Sequence, residues 1–252
     1  MYHFFTTPEN ISQGKILIHG RDVNHIKNVL RMKVGEELLV SDGEGTDYTC
    51  RIEKMDEEEV LCAIFDGQAS ISEPSVRFYL FQGLPKADKF EHIIQKSVEL
   101  GVYEVIPVQT SRSVVRYDDK KARNKQERWQ KISEGAAKQS RRGIIPEVKE
   151  IMSLNQALAY AEAENIDVKL IPYENFKDIT TTKEVLNSIE AGKKVGIFVG
   201  PEGGFDEKEV EASAAAGFQP ITLGSRILRT ETAPLMLLSV LMFNDEMNRS
   251  DR

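Results

Sequence analysis

Two patterns of apolar positions divide this chain of 252 residues. In the first seventy residues, apolar and polar side chains alternate over 15–18, 37–41, 48–54 and 60–65, the period-two pattern of half-buried strands. Asp42-Gly43-Glu44-Gly45 places turn-forming residues after the second of these. One helix starts near Asp22 and sets Val23, Ile26, Val29 and Leu30 on a common face. Residues 67–74, GQASISEP, mix Gly, Ser and Pro without a period, as a linker does. Two domains are expected, 1–70 and 75–252.

Beyond the linker, apolar runs alternate with helical periodicity. Strands are predicted at 76–82, 104–108, 147–151, 168–172, 195–199 and 220–223. Helices are predicted between them. Residues 86–100 carry Phe90, Ile93, Ile94, Ser97 and Val98 on one side and end at Gly101; a long basic helix covers 119–140; Ser153 caps a helix to about 164. Asp206 with Glu209 three residues on is a capping box, and Gly217 ends the helix it opens. A last helix spans 232–248. Strand–helix alternation over this length predicts an α/β domain with a mainly parallel sheet and helices on both faces. Ligands of such sheets bind beyond the carboxyl ends of the strands.

Composition narrows the function. No apolar run reaches the roughly 20 residues of a membrane helix, and the start MYHFFTTPEN lacks the marks of a secretion signal. A cytoplasmic protein is expected. Cys50 and Cys62 are too few for a four-cysteine zinc site or a disulfide framework and are read as buried thiols. The net charge is −7, yet residues 110–149 hold twelve Lys or Arg against five acids, so this segment alone carries +7. An acidic body with one basic segment suggests a local polyanion-binding face, though a basic helix is also what a merely solvated face looks like.

Two segments at strand ends could carry chemistry. Gly200-Pro201-Glu202-Gly203-Gly204-Phe205 joins the apolar strand 195–199 to the helix capped by Asp206. Its glycines permit a close backbone approach to a ligand, and equally suit a tight strand-to-helix turn. It is neither a GxGxxG dinucleotide fingerprint nor a phosphate loop, since no GK[ST] follows. Leu223-Gly224-Ser225-Arg226-Ile227-Leu228-Arg229-Thr230-Glu231-Thr232-Ala233 packs two arginines, a glutamate and two threonines among apolar residues. A cap by Thr230 or Thr232, with Arg229 paired to Glu231, would explain the same residues without function.

GPEGGF followed by LGSRILRTETA closely resembles the SPOUT methyltransferases, specifically the bacterial small-subunit ribosomal RNA uridine-N3 methyltransferase family. The resemblance extends through MYHFF, HIKNVLRMKVGEEL, KADKFEHIIQKSVELGV with EVIPV, TSRSVVR and RWQKISEGAAKQSRR, nearly the whole chain; Tyr2 departs from it, an arginine being frequent near that position. It implies a trefoil knot, which general folding rules would not suggest, and a PUA-like β-barrel for RNA at the amino terminus. It also implies a homodimer and S-adenosyl-L-methionine as cofactor. The positions matching the cofactor loops are Pro172, Tyr173, Val199, Gly200, Glu202, Gly203, Leu223, Gly224, Ile227 and Leu228.

Methylating uridine at N3 requires loss of a ring proton and attack on a sulfonium methyl. A cation can stabilise the developing anion and a carboxylate can accept the proton. Arg229 is the candidate cation; Glu202 and Glu231 are the candidate bases. His3, His19, His25 and His92 lie away from both segments in sequence, and the chemistry calls for no metal. Candidate RNA contacts are Arg128, Arg141 and Arg142 of the basic segment, then Arg31, Lys33, Lys86, Lys89 and Arg112.

Overall fold

The computed structural model describes residues 1–86 and 88–249. Tertiary contacts split the chain into two units, 1–73 with 137–145, and 74–136 with 146–252.

The first unit is a six-stranded sheet ordered β1-β4-β5-β6-β3-β2, built from β1 (Tyr2–Phe5), β2 (Ile11–Ser12), β3 (Lys15–His19), β4 (Glu37–Ser41), β5 (Thr46–Met55) and β6 (Glu59–Ala69). All pairs are antiparallel except β1 with β4. Alternation buries Ile16, Ile18, Leu38, Val40, Cys50, Ile52, Val60 and Cys62 in one cluster. Both cysteines are free and buried, and burial is the main reason their thiols are pushed up to about 12. The helix α1 (Arg21–Asn24) runs into a π turn over His25–Val29. Wider winding, with the Leu30 N–H bonded to the His25 carbonyl at 2.9 Å, turns the predicted apolar face. Val23 and Ile26 are buried, but Val29 is 60% exposed.

The expected linker begins later than its composition suggests. Strand β6 continues to Ala69, paired with Thr46. Gly67 serves packing here, since a Cβ on it would lie 2.9 Å from the ring of Tyr48 on the neighbouring strand. The segment 137–145, expected in the second domain, joins the first unit. Glu73 accepts from Arg142 Nε (2.8 Å) and Nη2 (2.7 Å) and from the Gly143 N–H (2.8 Å), and Lys138 pairs with Asp22 at 3.2 Å.

The second unit has a parallel sheet ordered β10-β8-β7-β12-β11-β13, with β9 also on β8. Its strands are β7 (Arg77–Gly83), β8 (Val102–Gln109), β9 (Glu147–Val148), β10 (Met152–Ser153), β11 (Val168–Pro172), β12 (Lys194–Val199) and β13 (Gln219–Ile221). The strand expected at 147–151 is thus two short ones along the same edge. Central β12 is buried from Val195 to Val199, as a strand covered on both faces must be. On one face Tyr79, Phe81, Ile106 and Phe198 pack with Phe205, Phe218 and, from α4 (Leu154–Ala163), Ala157 and Ala161. Emptying such a site, as in Phe198→Ala, costs about 3–5 kcal/mol. Two further helices, α2 (Lys89–Glu99) and α7 (Ala233–Arg249), pack against each other, with α2 on β8 and α7 on β12.

The basic helix α3 (Asp119–Ser140) and α6 (Glu207–Ala215) lie where predicted. The helix α5 (Ile179–Asn187) was not foreseen, because its opening Ile-Thr-Thr-Thr is β-branched and reads as anything but helix. Asp178 starts it by accepting the N–H groups of Thr180 (2.9 Å) and Thr181 (3.1 Å). None of the described helices is long and apolar enough to cross a membrane.

Candidate active site

The carboxyl ends of β11, β12 and β13 carry three loops that enclose a cavity of about 540 Å³, a size typical of small-molecule sites. The cofactor positions matched in sequence all line it: Pro172 and Tyr173 after β11, Val199, Gly200, Glu202 and Gly203 after β12, and Leu223, Gly224, Ile227 and Leu228 after β13. Arg226, Arg229, Lys89, Glu174 and Lys177 line it too; Glu231 does not.

The loop after β12 is shaped by backbone contacts. The Gly204 N–H bonds the Pro201 carbonyl at 2.9 Å, and Gly204 sits at φ +66°, a left-handed conformation that favours glycine. A Cβ at Gly200 would lie 3.1 Å from the Gly204 carbonyl carbon and 3.3 Å from the Phe205 ring. Close packing thus explains Gly200 without left-handed backbone. The predicted capping box is present, with Asp206 accepting from the Glu209 N–H at 2.9 Å and Glu209 from the Asp206 N–H at 3.1 Å. Ser111 fastens this helix start to the end of β8, donating its hydroxyl to Asp206 (2.8 Å) and its N–H to Glu209 (2.7 Å).

Two residues join the loops: Thr230, from the second of the two segments, and Gln82, which no sequence motif marks. Gln82, fully buried at the end of β7, donates Nε2 to Thr230 Oγ1 (3.0 Å), the Gly83 carbonyl (3.0 Å) and the Gly200 carbonyl (3.4 Å). Thr230 in turn donates its hydroxyl to the Gly200 carbonyl at 2.7 Å. Thr230 is therefore a bridge between loops, not the helix cap considered above. Gln82 had no sequence signal beyond a lone polar residue inside an apolar strand.

The charges are arranged unequally. Lys89 Nζ lies 3.1 Å from Glu202 Oε1 and 3.3 Å from Glu231 Oε2. Glu231 is therefore paired with Lys89 and not with Arg229. Glu202 also accepts the Lys86 N–H, at 3.1 Å to Oε1. Burial raises the Glu202 carboxyl, but its own N–H, Lys89 and the Lys86 N–H together outweigh that and hold it below the usual carboxylate range. Glu202, first among its causes, keeps the Lys89 ammonium protonated to higher pH than an ordinary lysine. Arg229 is exposed at the cavity and has no ion pair or side-chain hydrogen bond among the described residues. Its backbone is fixed, the carbonyl accepting from Thr232 (2.8 Å) and Ala233 (3.0 Å).

The expected RNA contacts differ in exposure and in pairing. Arg31, Lys33, Lys86 and Arg141 are exposed. Arg128 is 61% exposed and pairs with Glu91 at 2.7 Å. Arg112 donates to the Gly203 carbonyl at 2.8 Å and so supports the cavity loop. Arg142 is 3% exposed at its side chain and forked onto Glu73, which removes it from any RNA-facing surface. Trp129, beside Arg128, is buried against Phe90 with ring centroids 4.5 Å apart. The exposed cations of α3 are instead Lys120, Lys121, Arg123, Arg128 and Lys131.

A parallel sheet with a cavity enclosed by three loops at its strand ends, and an exposed arginine at its wall, defines an α/β protein with room for a small organic ligand at the usual binding edge of such a sheet. Comparison with known proteins gives that class a family. A model described as the RNA methyltransferase domain matches residues 72–242, and one described as the RNA methyltransferase PUA domain matches 18–65. The ribosomal RNA small subunit methyltransferase E of Bacillus subtilis (strain 168) is 38% identical over 255 residues, covering 100% of this chain and 99% of its own. The enzyme of the same name from Aquifex aeolicus is 32% identical, covering 95% and 99%. Its Neisseria gonorrhoeae namesake, solved bound to S-adenosyl methionine, superposes with a TM-score of 0.81 at 34% identity, covering 96% and 97%. This chain belongs to the ribosomal RNA small subunit methyltransferase E family of RNA methyltransferases.

Proposed function

We propose that this protein transfers the methyl group of S-adenosylmethionine to N3 of a uridine in small-subunit ribosomal RNA, and that it prefers the assembled or nearly assembled subunit. The observation that carries this is the convergence of the matched cofactor positions on one cavity, with the free Arg229 guanidinium beside them. The cavity fits the cofactor chemically, since Gly200, Gly203 and Gly224 keep side chains out of its wall while Leu223, Ile227 and Leu228 add apolar surface. When bound, the cofactor supplies a methyl on a positively charged sulfur.

The chain's own part is to bind the base and manage a proton. Arg229 stabilises the anion that forms on the ring as N3 loses its proton. Glu202 is held below the usual carboxylate range by its own N–H, Lys89 and the Lys86 N–H and is a weak base, so the guanidinium carries most of the effect and the proton passes to a carboxylate or to water. A trefoil knot of the three loops belongs to the same proposal, supported by the bonds of Thr230 and Gln82 to the Gly200 carbonyl. So does a homodimer, supported by Met236, Phe243 and Met247, which leave one side of α7 apolar and exposed, and so does a cytoplasmic location. Sedimentation at micromolar concentration should show the dimer; a monomer alone would overturn that part.

Subunit preference follows from cost. Presenting a base edge means unstacking the base, at a few kcal/mol, which binding elsewhere must offset. A chain of net charge −7 cannot draw this from general attraction to RNA and depends on phosphates held at fixed separations. Methyl transfer from labelled cofactor should be fastest to subunits from a deletion strain, slower to free ribosomal RNA and slowest to a hairpin holding the target. Equal rates on hairpin and subunit would overturn the preference, and a methyl group mapped to another atom would overturn N3.

A further inference from the structure

We infer that Lys89 is a positioning residue of the transfer site: by joining the carboxylates of Glu202 and Glu231 it fixes the loop after β12 and the backbone around Arg229 in one arrangement. The inference rests on the methyl-transfer function proposed above, and it assigns Lys89 a duty other than the RNA contact its sequence position suggested.

The placement of Lys89 is itself unusual. It is the first residue of α2, where the helix presents its positive end and disfavours a cation. Asp88, the residue before, makes no side-chain cap. Glu202, from a distant loop, offsets the misplaced cation by pairing with the Lys89 ammonium at 3.1 Å, and it also accepts the Lys86 N–H at 3.1 Å just before the helix begins. The same ammonium reaches Glu231 at 3.3 Å. Arg229 thus lies two residues before a carboxylate tied to Lys89 and one before Thr230, which is tied to Gly200 and Gln82. Loss of Lys89 leaves Glu202 and Glu231 without their shared cation, and so unties the loop after β12 from the backbone that carries Arg229. A phosphate arriving at Lys89 would meet those two carboxylates first.

Lys89→Met and Lys89→Arg test this. Cofactor binding to the wild-type protein, measured by calorimetry, comes first; its absence would sink the cofactor assignment and not the role of Lys89. In Lys89→Met, kcat at saturating RNA should fall about tenfold or more, while KM for RNA and the slope of log K against log salt stay at the wild-type values. Lys89→Arg keeps the charge and should restore most of the rate. Adding Glu231→Gln to Lys89→Met should cost less than it does alone, because the two act through one contact. A salt slope lower by about one with kcat unchanged would make Lys89 a phosphate contact, and no change in either would leave it without a role; both overturn the inference. If Lys89→Met melts early, the comparison of Lys89→Arg and Lys89→Gln carries the same test.

Discussion

The cavity loops and the basic segment 110–149 both stand out in sequence, yet only the first comes together in the fold. In the loops, matched positions separated by up to 56 residues meet around one space. In the basic segment, charges adjacent in sequence part company: Arg141 is exposed while Arg142 is buried on Glu73, and Arg112 supports a glycine loop while Lys120 faces solvent. Parallel-sheet topology delivers every strand end to the same edge, so a motif placed after a strand has a known destination. Charge counting has no such constraint, because it cannot tell a cation that meets solvent from one that has found a carboxylate.

The sharpest way to break this contrast is at Gly200. Valine there would drive its side chain against the Gly204 backbone and the Phe205 ring, which lie only 3.1–3.3 Å from where its Cβ would sit. Cofactor binding should become undetectable by calorimetry while circular dichroism stays native, since β12 itself is untouched. Full affinity in a folded Gly200→Val protein would show that the loop shape is not what the ligand reads.

Arg142 tests the other region. Arg142→Met removes the cation of a mostly buried ion pair and leaves the Glu73 charge with backbone N–H donors, a loss of up to about 3–5 kcal/mol that should appear as a large drop in melting temperature. Arg141→Met, one residue away on the surface, should leave melting almost unchanged. Similar melting of the two variants would contradict the separation of buried from exposed charge.

At the cavity, Arg229→Met should lower kcat by about 10²–10³-fold, the range seen when one donor to a developing anion is lost. Cofactor affinity should hold, since Arg229 lines the cavity but is not among the positions matched to the cofactor loops. Equal losses in affinity and rate would recast Arg229 as a cofactor ligand.

These contrasts also show where sequence reasoning stopped. Strand–helix alternation was enough for the second unit's architecture, and the Asp206–Glu209 box for one helix start. It missed α5, whose β-branched opening is rescued by Asp178 and by Thr182, which accepts the Thr222 N–H at 3.0 Å. It missed Gln82 for a similar reason, because a buried amide acquires its role only when three separate segments converge on it. The Arg229–Glu231 pair was a reasonable expectation from adjacency, and a lysine 142 positions earlier displaced it.

A smaller effect sharpens the question of which α3 charges meet RNA. Replacing Lys120, Lys121, Arg123 and Lys131 by Gln should reduce the salt slope by about 0.7–0.9 for each phosphate that these side chains neutralise, with cofactor affinity unchanged. An unchanged slope would move the RNA surface off this helix.

The smallest expected effect concerns the helix start that supports the glycine loop. The Asp206 carboxyl is held below its ordinary value, first by the Glu209 N–H and then by the Ser111 hydroxyl. Folding therefore favours the carboxylate: its contribution is complete above the unfolded-state value of about 3.9 and is lost as pH falls through the lower folded value. Asp206→Asn keeps an oxygen for the Glu209 N–H, as asparagine caps nearly as well as aspartate, but it cannot titrate. The wild type should melt slightly higher than this variant at neutral pH, and the gap should close below about pH 4. A gap that persists into strong acid would mean that the side chain's shape, and not its charge, holds the start of α6 against the end of β8.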